Sequence, residues 1–115
     1  MRYLCLVYID QPLADAASRE EWAEIDQESL AFNEALRQSG HYIAANALAP
    51  PQTAKTFRIR GGKRVWTDGP FAETKEHLGG FFLIEAKDQA EALEIAGRTS
   101  VAKYGAIEVR ETAGF

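Results

Sequence analysis

Two apolar runs constrain what this chain can fold into more than anything else in it. Tyr3-Leu4-Cys5-Leu6-Val7-Tyr8-Ile9 and Phe81-Phe82-Leu83-Ile84 are rich in β-forming residues and place no charged group at alternate positions. A strand with one wet face alternates apolar and polar side chains, whereas an uninterrupted run belongs to a strand covered on both faces. Residues 2–10, bounded by Asp10-Gln11-Pro12, and residues 79–86 therefore read as inner strands of one sheet. The first run is too short to span a membrane as a helix. It also lacks the charged region, longer apolar stretch and cleavage site of a secretory signal, so a cytoplasmic, non-membrane protein is expected. Cys5 is the sole cysteine, which excludes an internal disulfide, and its place in an apolar strand predicts a buried, inert thiol.

Between these runs the periodicity changes. Ser18-Arg19-Glu20-Glu21 has the form of a capping box, and Trp22, Ile25, Ser29, Phe32 and Leu36 follow at helical spacing, predicting a helix that ends near Gly40. Residues 42–48 form a second strand closed by Pro50-Pro51. Phe57 and Ile59 alternate with Arg58 and Arg60 before Gly61-Gly62, the mark of a hairpin. A three-residue loop of Gly61, Gly62 and Lys63 would pair Ile59 with Val65 and Phe57 with Thr67 and keep one face apolar, and this register is preferred to a two-residue loop pairing Ile59 with Arg64. Asp88 and Glu91 repeat the capping pattern, predicting a helix from about residue 89 with Leu93, Ala96, Ser100 and Tyr104 inward, weakened by Gly97 and ended by Gly105. Ile107 and Val109 alternate with Glu108 and Arg110 in a last strand, followed by a loose tail at 111–115. The order is β-α-β, an inserted hairpin, then β-α-β. Residues 1–115 are one α+β domain, a ferredoxin-like subunit with an antiparallel sheet and two helices on one face.

Chemistry concentrates in the loop between the hairpin and the second apolar run. Asp68-Gly69-Pro70 is a rigid turn, Phe71 is expected to bury its ring against the body, and Gly79-Gly80 permits a bulge or a close backbone approach. Asp68, Glu73, Lys75, Glu76 and His77 form the densest set of titratable groups outside the helices. A carboxylate beside a lysine or histidine can move a proton to or from a small substrate when burial brings its pKa towards neutrality. Asp68 and His77 are the catalytic candidates. Asp68 alternatively caps its own turn, and Lys75 either meets an acidic substrate or bridges Glu73 or Glu76. Tyr8 and Asp10, at the exit of a central strand, join Glu73, Lys75 and Glu76 as candidate ligand-binding residues. His41 follows the helix-ending Gly40 and suits a helix C-terminus electrostatically.

The string Asp68-Gly69-Pro70-Phe71-Ala72-Glu73-Thr74-Lys75-Glu76, followed by Leu78-Gly79-Gly80, resembles the signature of YCII-related proteins of the DGPF type, and the similarity runs from Met1-Arg2-Tyr3-Leu4 to Tyr104–Arg110. The resemblance implies a ferredoxin-like subunit that pairs into a dimeric α+β barrel. Related YCII proteins are suggested to use a His–Asp pair, yet Val7-Tyr8-Ile9-Asp10 stands where their early-strand histidine would be, and His77 stands where the family more often has glutamine.

Composition removes other classes. A formal charge of −4 and a single basic cluster, Arg58, Arg60, Lys63 and Arg64 on the hairpin, argue against nucleic acid. Two scattered histidines and one cysteine give no metal-ligand spacing, and phosphate-loop, dinucleotide and nucleophile-elbow motifs are missing, so neither a metal nor a cofactor is expected. The expectation is a homodimer, closed by the uncovered sheet faces, that binds or transforms a small molecule in a pocket between sheet and helix walled by the Asp68–Glu76 loop. A non-catalytic interaction or regulatory module is the alternative.

Overall fold

The computed structural model describes residues 1–114; Phe115, the end of the expected tail, lies outside the described residues. Strand β1 (Arg2–Asp10) leads into helices α1 (Gln11–Ala16) and α2 (Arg19–Ser39), then β2 (Tyr42–Ala47). The hairpin β3 (Lys55–Arg60) and β4 (Lys63–Asp68) precedes β5 (Glu76–Glu85), α3 (Gln89–Ala96) and β6 (Gly105–Glu111). Strands β2, β5, β1 and β6 form one antiparallel sheet in that order, and β3 and β4 form a second. The chain is thus α+β, with both two-sided apolar runs in the centre of the larger sheet.

Local chemistry explains the main helix. Ser18 Oγ accepts from the Glu21 backbone N–H at 3.0 Å, and Glu21 Oε1 accepts from the Ser18 N–H at 3.3 Å, so the capping box is complete. Ile25 and Leu36 are buried on the inward stripe, where Phe32 meets Phe82 edge-on at 5.5 Å. Tyr3, Cys5 and Val7 of β1 and Phe82 and Ile84 of β5 complete the core with Ala92, Ile95 and Ala96 of α3. Each large aliphatic or aromatic group among them contributes roughly 1.5–3 kcal/mol by leaving water, and the alanines less. The alternate residues Leu4, Leu6, Phe81 and Leu83 fall on the opposite sheet face, outside this core and partly exposed.

Four expectations are corrected. The hairpin uses the two-residue loop: Ile59 pairs with Arg64 and Phe57 with Trp66. Gly61 and Gly62 both have positive φ, +57° and +77°, which suits the strand twist, and the Phe57 and Trp66 rings meet at 4.8 Å. No buried face imposes the other register, because β4 is exposed along its length. Helix α3 ends at Ala96 with Gly97 as its C-cap, and a separate 3-10 turn spans Ser100–Tyr104, so Gly105 opens β6 instead of closing a helix. Leu93 is 51% exposed, because α3 turns its small residues Ala92 and Ala96 to the sheet. Phe71 is 79% exposed instead of buried, with the Arg58 guanidinium 5.4 Å from its ring centre. The short helix α1 was not anticipated at all; Asp10 caps it by accepting from Leu13 N–H at 3.3 Å. The tail is also tied further than expected, since Thr112 N–H donates to Arg2 O at 3.0 Å.

Two outcomes follow for stability. A Cβ at Gly105 would lie 1.7 Å from Tyr8 O, so Gly105→Ala forces β6 away from β1. Chemical denaturation should show a loss at or above the ~1–3 kcal/mol of ordinary overpacking. Burial pushes the Cys5 thiol up to about 12. Disulfide-exchange labelling at pH 8 should therefore be undetectable in native protein and should track global unfolding across a denaturant series.

Candidate functional site

The site begins with a bulge. Pairing of β1 with β5 runs in step as far as Val7 with Gly80, then resumes with Tyr8 opposite Leu78 and Ile9 opposite His77, leaving Gly79 as the extra residue. A Cβ on Gly79 would come 2.6 Å from Ile9 Cγ1, so that side chain holds the space a larger residue would need. Beyond the bulge, Tyr8, His77 and Glu76 gather at the end of the sheet where β1 passes into α1.

His77 is oriented there by two residues that sequence reasoning left out. Gln11 Nε2 donates to Asp15 Oδ1 at 2.7 Å, which fixes the amide and turns Gln11 Oε1 towards His77 Nε2 at 2.8 Å. An amide oxygen only accepts, so this contact is made through a proton on Nε2. The Leu78 carbonyl, 3.5 Å from Nδ1 and at the long limit of hydrogen bonding, is also only an acceptor. Helix α1, which carries Gln11 and Asp15, is held from both ends. Gln11 N–H donates to Lys75 O at 2.9 Å, and Trp22 Nε1–H donates to Ala14 O at 3.1 Å. Trp22 in turn packs on Tyr104 at 5.0 Å, whose hydroxyl donates to Glu21 Oε2 at 2.8 Å and holds that carboxyl below its ordinary range.

His77 stands between two openings. A cleft of about 650 Å³ lies between the sheet end and the segments before β3 and after β4; Tyr8, Glu76, His77, Lys55, Pro51 and Phe71 are among its walls. A groove of about 560 Å³ on the other side of His77 is lined by Ile9, Gln11, Asp15 and Gly79. The cleft walls are largely apolar, with one lysine, one carboxylate, one histidine and the Tyr8 phenol as charged or titratable groups. That is the composition of a small-molecule site, where apolar walls supply affinity and a few polar groups fix orientation.

The remaining candidates are distributed around it. Asp68 does not line the cleft; its side chain is 85% exposed and pairs with Lys55 Nζ at 2.5 Å, which holds the carboxyl below its ordinary range. It is linked to the cleft wall through Lys55, a residue that sequence order hid because it lies across the hairpin from Asp68. Glu73 and Lys75 are exposed and do not line the cleft either, although the loop that carries them supplies Pro70, Phe71, Ala72 and Thr74 to the wall. Thr74 Oγ1 donates to the Glu76 carbonyl within that loop. Asp10 is occupied as the cap of α1.

His41 sits at the far end of α2 in a chain of its own, Nδ1 at 2.6 Å from Ser39 Oγ and Nε2 at 3.1 Å from Glu91 Oε1. Glu91 is held below its usual range first by the Lys87 N–H. A helix C-terminus presents carbonyls instead of N–H donors for an oxyanion, so this chain joins α2 to α3 and is no nucleophilic triad. Among the described residues no three His, Cys, Asp or Glu side chains come together as a metal site.

Comparison with known proteins bears on the whole chain. The YCII-related domain matches residues 1–115. An uncharacterized protein of Rhizobium meliloti (strain 1021) is 36% identical over 115 residues, covering 98% of this chain and 93% of its own. With the family matched from end to end and a relative of that similarity, the chain belongs to the YCII-related family.

Proposed function

We propose that this chain is a cytoplasmic small-molecule protein that moves a proton on a small polar metabolite bound in the cleft at the sheet end. The observation that carries the reading is the Asp15–Gln11–His77 chain, which presents an oriented histidine at the wall of an open, mostly apolar cleft. In this reading His77 Nδ1 takes the proton, Lys55 meets an anionic group of the ligand, and Tyr8 and Glu76 orient it. Asp68 is then a positioning residue that holds Lys55 in place. Membership of the family supplies the fold and no reaction. Among the described residues no helix is long and apolar enough to cross a membrane, which agrees with this setting.

The same reading makes the protein a two-fold homodimer of the α+β barrel type. Leu4, Leu6, Phe81 and Leu83 form a contiguous, partly exposed apolar strip on the face opposite the helices, and large contiguous apolar patches on a soluble protein mark contact surfaces. Burying two such faces against one another satisfies both subunits with one contact.

Native mass spectrometry of the purified protein identifies the molecule that co-purifies, and its affinity and turnover then test the roles. His77→Gln should lower turnover by about 10²–10⁴-fold, the usual range for a lost general base, with little change in melting temperature. Lys55→Ala should weaken binding, and Asp68→Asn should weaken it less. A fully active His77→Gln protein overturns the proton-transfer reading in favour of a binding or interaction module. For assembly, light scattering at low micromolar concentration should give twice the 12.7 kDa chain mass, falling to one chain mass in Leu6→Asp. A monomeric wild-type protein without apolar dye binding defeats the dimer.

A further inference from the structure

The β3–β4 hairpin stands apart from the rest of the chain. Among the described residues its two strands pack on each other and on no other element to any extent. The described residues span 48 × 40 × 19 Å with a radius of gyration of 15.9 Å. A compact domain of this length measures about 13 Å. The hairpin is thus an arm, and its two faces differ. Strand alternation puts Phe57, Ile59 and Trp66 on one face, where they are between 49% and 62% exposed. Three large side chains left in water on one short ribbon form an apolar patch, the mark of a contact surface.

Charge and position name the occupant. Residues 55–68 carry five of the 13 Lys and Arg side chains, but Asp68 alone of the 17 acidic ones. The arm is therefore at +4 while the rest of the chain is at −8, so each copy presents both halves of an attractive pair. The root of the arm also stands on the open side of the large sheet. Tyr8 is two residues from Leu6 and opposite Leu78, which places both on the face of the Leu4, Leu6, Phe81 and Leu83 strip. Both line the cleft together with Lys55 and Thr56 of the arm. A second subunit laid on that strip comes against the arm.

We propose that the arm is the second contact of the homodimer, with its Phe57, Ile59 and Trp66 face laid on the acidic body of the partner subunit. This contact rests on the dimer reading above and gives the partner a role at the cleft. Lys55 and Thr56, on the cleft wall, belong to β3, and within one chain that strand is braced by β4 alone. Gly69 N–H donates to Ala54 O at 2.7 Å and Thr56 Oγ1–H to Gly69 O at 2.9 Å, which closes the root of the arm on itself and not on the sheet. The partner thus holds the Lys55 side of the cleft in place, and the site is complete only in the assembled pair.

Trp66 is its own reporter once Trp22, the other indole, is replaced by Phe in the full chain. On dilution, light scattering should fall from two chain masses to one while Trp66 emission moves to the red and its quenching by acrylamide rises, all with one midpoint. Amide exchange over residues 51–56, on the cleft wall, should quicken across the same range. In otherwise wild-type protein, Trp66→Ala should raise the dimer dissociation constant roughly thirtyfold or more, the scale of a buried aromatic anchor. The melting temperature of the diluted monomer should stay nearly the same, because β4 is exposed along its length. Arg60→Glu with Lys63→Glu, which brings the arm to zero net charge, should weaken the dimer as well. A dimer in which Trp66 is as exposed as in the diluted chain, or unchanged association in either variant, overturns the arm contact and leaves the sheet-face dimer standing. Trp66 exposed in the dimer and quenched by a single-stranded oligonucleotide at physiological salt assigns the arm to nucleic acid instead. A wild-type chain that stays monomeric overturns both.

Discussion

The bulge at Gly79 is the constraint on which the site depends. Strand side chains alternate between faces, so a ladder that paired Gly79 with Tyr8 would put every β5 residue before it on the other side of the sheet. Without Gly79 as the extra residue, His77 would no longer stand opposite Ile9, and Gln11 would have no imidazole within reach. Ile9 occupies the position a Cβ would take, so the extra residue is one that only glycine fits without displacing an inner-strand side chain.

Orientation of the histidine passes through a neutral amide, and that has a chemical consequence. A carboxylate in direct contact with the imidazole would favour its charged form, whereas Gln11 transmits direction from Asp15 without placing a full negative charge on the ring. The arrangement differs from a His–Asp pair in that respect. It also assembles the site from distant parts of the chain, since Gln11 and His77 are 66 positions apart and meet only because β1 and β5 are neighbours.

Much of the fold was legible because its signals are local or strictly periodic. The Ser18 capping box, the Gly40 terminus and the two uninterrupted apolar runs each name one structure and were found where they were expected. What escaped were features decided by geometry between elements. The hairpin register was inferred from an apolar face, but no core lies against that hairpin, and the two-glycine turn and the Phe57–Trp66 contact decided instead. Helix α1 is only six residues long, too short for a periodic pattern, although Asp10 before a proline near the first helical position was an available sign. For the site, the titratable loop led to His77 and Glu76. Gln11 and Lys55 stayed hidden because one is neutral and the other reaches the cleft across a hairpin.

The strand order carries a consequence for how the chain is made. Strand β1 pairs with β5, where Arg2 meets Glu85, and with β6, where Tyr3 meets Glu111, so nearly the whole polypeptide separates each partner from its mate. Contacts that close such long loops form slowly, after helices such as α2 have organised locally. On the ribosome, β1 must wait for β6 before its sheet is complete. Throughout that interval Tyr3 to Ile9 remains an unpaired apolar segment, the kind of surface that chaperones and aggregation compete for.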